Sequence, residues 1–172
     1  MCIRDRRMVE GLLNYSQVQK ASLKLQEINF ADVIHAAKNN LALTIKETNT
    51  QIDIGDMPDV TVDFSLMINV MQNLIGNAIK HCNLPQPEIQ ISSEEIDSAY
   101  LIKVKDNARG ISENQLEEIF NIFRSIKTDD NTQHSGVGLA ICKNIIEKHK
   151  GKISVESKVG VGSTFIIQIP KT

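Results

Sequence analysis

The segment from about Asp63 to Asn83 constrains this chain more than any other. At roughly 100° per residue, Asn73, Asn77, Lys80 and His81 fall within an arc of about 100° on one helix face. Met67, Met71, Leu74, Ile75, Ala78 and Cys82 fill the neighbouring arc, an apolar stripe that has to find a core. The spacing predicts a long amphipathic helix, with Asp63 placed to cap its start. Amide oxygens on the polar face can coordinate Mg²⁺, and an ammonium one turn further on can reach phosphate. A plain solvated helix face has the same composition, so this segment alone leaves both readings open.

The chain has 172 residues, enough for one domain with a real core and a small appendage. Hydrophobic residues make up 41% and charged residues 23%, the balance of a soluble globular protein rather than a disordered one. A net charge of −2 gives no basic face for nucleic acid and none for a bulk membrane surface. Cys2, Cys82 and Cys142 are odd in number and contain no C-x-x-C pair, which fits a reducing compartment and argues against a disulfide framework or a zinc site. No apolar run reaches the ~18 residues of a membrane span and no signal-peptide pattern is present. A cytoplasmic location is expected, with any membrane segment of a parent protein lying elsewhere. Met1 to Arg6 carries no pattern in keeping with the rest of the chain and resembles translated sequencing-adapter sequence. It is set aside as a non-native leader, and the N-terminal part of the protein is expected to be missing.

Along the chain, Met8, Leu12, Leu13 and Val18 predict a helix from Arg7 to about Leu25. Leu25 to Phe30 reads as a short strand, followed by a helix with Asp32 near its start and running to about Glu47. Ile52 and Ile54, then Val60 and Val62, give two more short strands around a Met57-Pro-Asp59 turn. After the long helix, Ile89 and Ile91 mark one strand. In the next, Tyr100, Ile102, Val104 and Asp106 share a face, which aims Asp106 at the apolar side of the sheet. Gly138 to Lys150 is helical, with an Ile141, Cys142, Ile145, Ile146 stripe, Gly151 as its C-terminal cap and His149 as a helix-end cation or an exposed side chain. Ile153 to Ser157 and Thr164 to Ile169 form a closing hairpin whose loop holds Gly160 and Gly162. The sum is an α/β fold: a two-layer sandwich of a mixed sheet packed against helices, preceded by an N-terminal helix.

Three later motifs bear on chemistry. Asp106-Asn-Ala-Arg-Gly110 ends a strand and enters a loop. A carboxylate on the buried side needs donors, and a purine exocyclic amine is one, while Gly110 would let backbone approach the base. An ordinary Asp-Asn turn has the same wording. Ser135-Gly136-Val-Gly138-Leu139 opens a helix, where glycines give a tight entry and leave N–H groups facing a phosphate, or merely cap the helix. Gly160-Val-Gly162-Ser-Thr164-Phe165 is equally a binding loop or a plain hairpin.

Order and spacing resolve these ambiguities together. From about Leu25 to Pro170 the chain resembles the catalytic ATP-binding domain of sensor histidine kinases, in the superfamily that includes DNA gyrase, heat-shock chaperones and mismatch-repair ATPases. The resemblance implies that Asn77 coordinates Mg²⁺, that Asn73 one turn earlier lines the phosphate end, and that Lys80 contacts phosphate, making Asn73 and Lys80 the catalytic candidates. His81 stands where the family often has Tyr. Asp106 matches the adenine-reading carboxylate, Gly110 the glycine beneath the base and Thr164 the residue near adenine in the last motif. Phe120 and Phe123 match the phenylalanine motif that begins the nucleotide lid, and Arg124 and Lys127 lie in that lid within reach of phosphate. Gly136, Gly138 and Leu139 match its closing segment. Two positions depart from the pattern: Ala108 and His134 each stand where a glycine is usual. Alanine fits if its backbone is not left-handed.

Residues 7–24 resemble the end of the second helix of a dimerisation and phosphoacceptor domain, and residues 25–172 the catalytic domain. No phosphoacceptor motif is present, and His35 lacks the acidic neighbour such a histidine has. The resemblance implies transfer of the γ-phosphoryl group of Mg·ATP to a histidine on a helix outside this sequence, own or partner's, in a homodimer, and onward to a response regulator receiver domain. The wording around Asn73 is most similar to phytochrome-type sensors. Three other readings stand beside this one. A gyrase- or chaperone-type ATPase carries a glutamate at the position of Asn73 to activate water, which an amide cannot do. A serine kinase of the anti-sigma-factor type shares the pocket but lacks the bundle-like helix. A non-catalytic nucleotide-binding or docking module is compatible with Ala108 and His134.

Overall fold

The structure, a computed structural model, describes residues 3–122 and 136–172. Its organising element is the helix that the periodicity predicts, α4 (Phe64–Lys80). Asp63 closes its N-terminus, Oδ1 accepting the Leu66 N–H at 3.1 Å. Met67, Met71 and Ile75 are fully buried and Leu74 is 1% exposed, so the apolar arc is the core, each such side chain contributing about 1.5–3 kcal/mol. The helix ends at its cap His81, short of the expected Asn83. The Leu84-Pro85 step beyond it disfavours helical backbone before the proline.

Five strands form the main sheet in the order β2 (Gln51–Ile54), β4 (Glu88–Glu95), β5 (Ala99–Asp106), β7 (Gly162–Pro170), β6 (Lys152–Lys158). Only β2 and β4 run parallel, and the other pairs are antiparallel. Ile102 and Val104 of β5 and Phe165, Ile167 and Ile169 of β7 are buried at alternate positions, with Asp106 in the same series. These residues share one core with α2 (Phe30–Asn40), α4 and α5 (Gly138–Lys148). The two remaining strands, β1 (Leu25–Asn29) and β3 (Asp59–Asp63), pair with each other as a separate antiparallel ribbon.

Four expectations require adjustment. The helix expected from Asp32 to Glu47 breaks at Leu41 into α2 and α3 (Ala42–Glu47). No residue of α3 is buried, and α2 ends on Asn39-Asn40, weak helix formers, so nothing holds the two in line. Gly151 caps α5 through its N–H, which donates to the Ile146 carbonyl at 2.9 Å, but the left-handed residue of the cap is Lys150, at φ 59°. Gly151 is also needed for space, because a Cβ there would lie 2.2 Å from the Gln168 carbonyl oxygen. His149 is neither a helix-end cation nor idle. Its Nε2 accepts the Asp63 N–H at 3.0 Å, so the hydrogen sits on Nδ1, which donates to the Ile145 carbonyl at 2.7 Å. The imidazole is thus held as the neutral tautomer.

Finally, α1 (Ile3–Lys20) starts within the segment that carries no pattern of its own. Val18 is buried and Tyr15 packs on the core, but Leu12 and Leu13 are exposed, so only part of the expected stripe meets the domain. The Lys148 ammonium fixes the end of α1, donating to the carbonyls of Val18 (2.5 Å), Gln19 (3.1 Å) and Ala21 (2.5 Å).

Candidate functional site

A single cleft gathers most of the residues singled out from the sequence. Asn73, Asn77, Lys80 and His81 of α4 line it, with Asp106 and Gly110 after β5 and Gly136, Gly138 and Leu139 at the start of α5. Its apolar walls include Ala78, Ile111, Ile119 and Phe165. Phe120 braces that wall from behind, its ring edge-on to Phe165 at 6.4 Å and 89°. Phe123, Arg124, Lys127 and His134 lie outside the described residues.

At one end, Asp106 is 8% exposed. Its Oδ1 accepts two backbone N–H groups, from Ala108 and Ser163, each at 3.0 Å. No donor among the described residues is recorded on Oδ2. Burial pushes this carboxyl above its ordinary value, and the two backbone N–H groups partly oppose the shift. The loop after β5 is anchored by Asn107, whose amide accepts the Glu88 N–H at 2.9 Å and donates to the Gln86 carbonyl at 3.1 Å.

Ala108 does not have a left-handed backbone, which among the described non-glycine residues falls to Asn49 and Lys150, so alanine is accommodated there. Gly110 does, at φ 80°, and a Cβ on it would lie 2.2 Å from the Lys158 carbonyl oxygen. The β6–β7 hairpin therefore demands this glycine, which also lines the cleft as expected.

Thr164 does not line the cleft. Along β7 the buried series is Ser163, Phe165, Ile167, of which Ser163 and Phe165 line the cleft, and Thr164 is turned to the other face of the sheet. Ser163 is the residue that sequence reasoning missed, and the strand's period of two, counted back from Phe165, would have found it. Its hydroxyl pairs with the Ser157 hydroxyl at 2.7 Å, and Ser157 accepts the Ile111 N–H at 2.8 Å, tying the hairpin to the Asp106 loop.

At the other end, the Asn73 amide nitrogen donates to the Asn69 side-chain and backbone oxygens at 2.7 and 2.9 Å. Its Oδ1 is thereby turned to the start of α5, where a Cβ on Gly138 would come within 2.7 Å of it. The N-cap residue of α5 is Val137, which offers no side-chain acceptor to the first N–H groups of the helix. Partial burial, and secondarily the positive charge of Arg7 in α1, hold the Lys80 ammonium below its ordinary value. No hydrogen bond is recorded on the Asn77 side chain among the described residues, and its amide borders the cleft beside Lys80. Among the described residues no cluster of three His, Cys, Asp or Glu is present. A divalent ion here would thus rest on amide oxygen and on oxygens that a ligand brings, a donor set of the kind Mg²⁺ accepts.

The family described as histidine kinase-, DNA gyrase B-, and HSP90-like ATPase matches residues 62–172. The chain belongs to that family. The catalytic domain of histidine kinase ThkA is similar to it at 29% identity and TM-score 0.74 over 87% of this chain and 99% of that one. The complex of ThkA with response regulator protein TrrA is similar over 98% of this chain and 48% of the other, at 28% identity and TM-score 0.78. Phytochrome-like protein Cph1 of Synechocystis sp. is 38% identical over 163 residues, 95% of this chain and 22% of its own length. The chain thus spans about a fifth of the length of the curated relatives it matches. The resemblance to phytochrome-type sensors agrees with this similarity. No described helix is long and apolar enough to cross a membrane.

Proposed function

We propose that this chain binds Mg·ATP in the cleft between α4, α5 and the β5–β7 end of the sheet, as the catalytic domain of a two-component sensor histidine kinase. The supporting observation is the asymmetry of the cleft. One end holds a buried carboxylate with a single oxygen saturated by backbone, suited to an exocyclic amine donor. The other brings together two amides, an ammonium and an uncapped helix N-terminus, suited to a polyphosphate and its ion. Asp106 would read adenine, with Ser163 in the place expected of Thr164. Asn77 would hold Mg²⁺, with Asn73, Lys80 and the Gly136–Leu139 turn on the phosphates. Bound Mg²⁺ supplies neutralisation of the charge shared by the phosphate oxygens.

In this reading residues 25–172 are the catalytic unit and residues 7–24 the end of a dimerisation helix. The γ-phosphoryl group passes to a histidine on a phosphoacceptor helix outside this sequence: the bond from the γ-phosphorus to the bridging oxygen breaks, a P–N bond forms, ADP leaves and the imidazole loses its proton. A receiver domain of a response regulator is the next acceptor, as the ThkA complex with TrrA suggests by likeness.

Thermal unfolding tests the pocket. Mg·ATP at ~100 times its dissociation constant stabilises the fold by about 2.7 kcal/mol, while Mg·GTP stabilises it much less. A stabilised domain that never labels a histidine on an added phosphoacceptor domain would favour a docking role. Absence of any shift with ATP well above millimolar concentration would sink the nucleotide reading.

A further inference from the structure

The nucleotide cleft has a neighbour. Gly11 and Asn14 of α1 and Asn69, Gln72 and Asn73 of α4 border a second cavity of about 350 Å³, with the start of α5 at its foot. Residue 11 being glycine lets α1 lie close, since a Cβ there would be 3.2 Å from the Val137 side chain. Asn73 and Gly138 line both spaces, so the cavity adjoins the end of the cleft assigned above to the phosphates. Its mouth lies beside Asn14, which is exposed, while Gln72 is half-buried.

The chemistry of the lining is narrow. Among the described residues no charged side chain borders the cavity, and four carboxamides do. Two of these are committed to each other: Asn73 Nδ2 donates to Asn69 Oδ1 at 2.7 Å and to the Asn69 carbonyl at 2.9 Å. On the Gln72 side chain no hydrogen bond is recorded among the described residues, so it is the half-buried amide left to meet a guest. An amide offers donors and an acceptor without charge. That matches a neutral imidazole, which has one N–H and one lone pair. A carboxylate in the same place would favour the imidazolium, whose lone pair is gone and which cannot attack phosphorus.

We propose that this second cavity is the acceptor subsite, where the imidazole of the phosphoacceptor histidine enters, with Gln72 as the residue that accepts its N–H. The proposal deepens the reading of the chain as a histidine kinase, and rests on it. The lone pair of the other ring nitrogen forms the P–N bond, and the electron pair of the broken P–O bond leaves on ADP. An amide oxygen accepts a hydrogen bond but no proton, so the ring proton passes to water at the mouth beside Asn14. Gln72 and Asn14 border this cavity and not the cleft, so acceptor and nucleotide are held by separable residues.

The experiment pairs calorimetric titration with Mg·ATP and phosphoryl transfer from Mg·ATP to an added phosphoacceptor domain bearing one histidine. Gln72→Leu keeps ATP affinity within about two-fold and lowers kcat/KM for the acceptor roughly ten-fold, the size of one lost hydrogen bond. Gln72→Glu moves to higher pH the limb of the transfer profile on which the acceptor ring becomes neutral, because a carboxylate beside the ring holds it charged. A mere packing role leaves that limb in place. Asn14→Leu, on the exposed wall, gives a smaller loss in the same direction, and it decides if unfolding without ligand shows that a Gln72 variant has lost its fold. Equal loss of ATP affinity and of transfer would assign the cavity to the nucleotide, and undiminished transfer in all three variants would exclude the ring from it; either overturns the proposal. A wild type that binds ATP and labels no histidine would overturn the kinase reading itself, a different failure from those two.

Discussion

The two ends of the cleft are built by different means. The Asp106 end is made of backbone: two main-chain N–H groups on one carboxylate oxygen, a left-handed glycine against the Lys158 carbonyl, and a hairpin that touches both. The Asn77 end is made of side chains on helix faces, Asn73, Asn77 and Lys80, facing glycines at the start of α5. Backbone recognition cannot be altered without altering the fold, whereas side chains on a helix can be exchanged while the helix persists. The first end therefore couples stability to selectivity, and the second separates them.

Gly110→Ala gives the largest effect and attacks the first half of that contrast. Left-handed strain adds about 1–2 kcal/mol and the collision with Lys158 adds more, so urea unfolding registers a loss of ~3 kcal/mol together with the affinity. A variant that unfolds like the wild type would show that the hairpin yields easily and that the Asp106 end is not rigid.

Asn77→Ala tests the second half. Its side chain is outside the core, so stability changes by less than about 1 kcal/mol. Mg²⁺-dependent ATP affinity nevertheless falls by roughly 2 kcal/mol, measured by titration with and without the ion. A comparable loss in unfolding and in binding would erase the distinction between the ends.

Asp106→Asn sharpens the comparison with a smaller, pH-dependent effect. An amine donor requires the carboxylate, and burial raises this carboxyl. Adenine nucleotide affinity accordingly begins to fall, on acidification, above the ordinary aspartate value of about 3.9. The sign for the free fold is opposite. The folded form holds this proton more tightly than the unfolded chain does, so acidification through the same window stabilises the fold through Asp106. Asn at this position flattens both profiles, and ATP and GTP become less distinct. A wild-type affinity that is level down to the ordinary value would remove the carboxylate from the base contact.

The same contrast decides what could be read from the sequence. Periodicity is a property of side chains on regular elements, so α4, its cap and the faces of β5 were legible. Where the site depends on backbone, part of the reason was out of reach. That a Cβ at Gly110 or Gly151 would meet a carbonyl at 2.2 Å is a fact of tertiary approach that local sequence does not contain. Thr164 was an error of a different kind, since the alternation that places Ser163 inward was available. His149 owes its role to a partner 86 residues away, which spacing along the chain cannot reveal.

His149 sits in a knot of contacts. Its Nε2 takes the Asp63 N–H, the Asp63 carboxylate takes the Lys24 N–H as well as capping α4, and the adjacent Lys148 closes the end of α1. Residues 21–24, between α1 and the domain, are thus moored at each end to the helices that carry the Asn77 side of the cleft. The junction between α1 and the domain is a bracket of three side chains, Asp63, Lys148 and His149, that ties it to the start of α4 and the end of α5 at once.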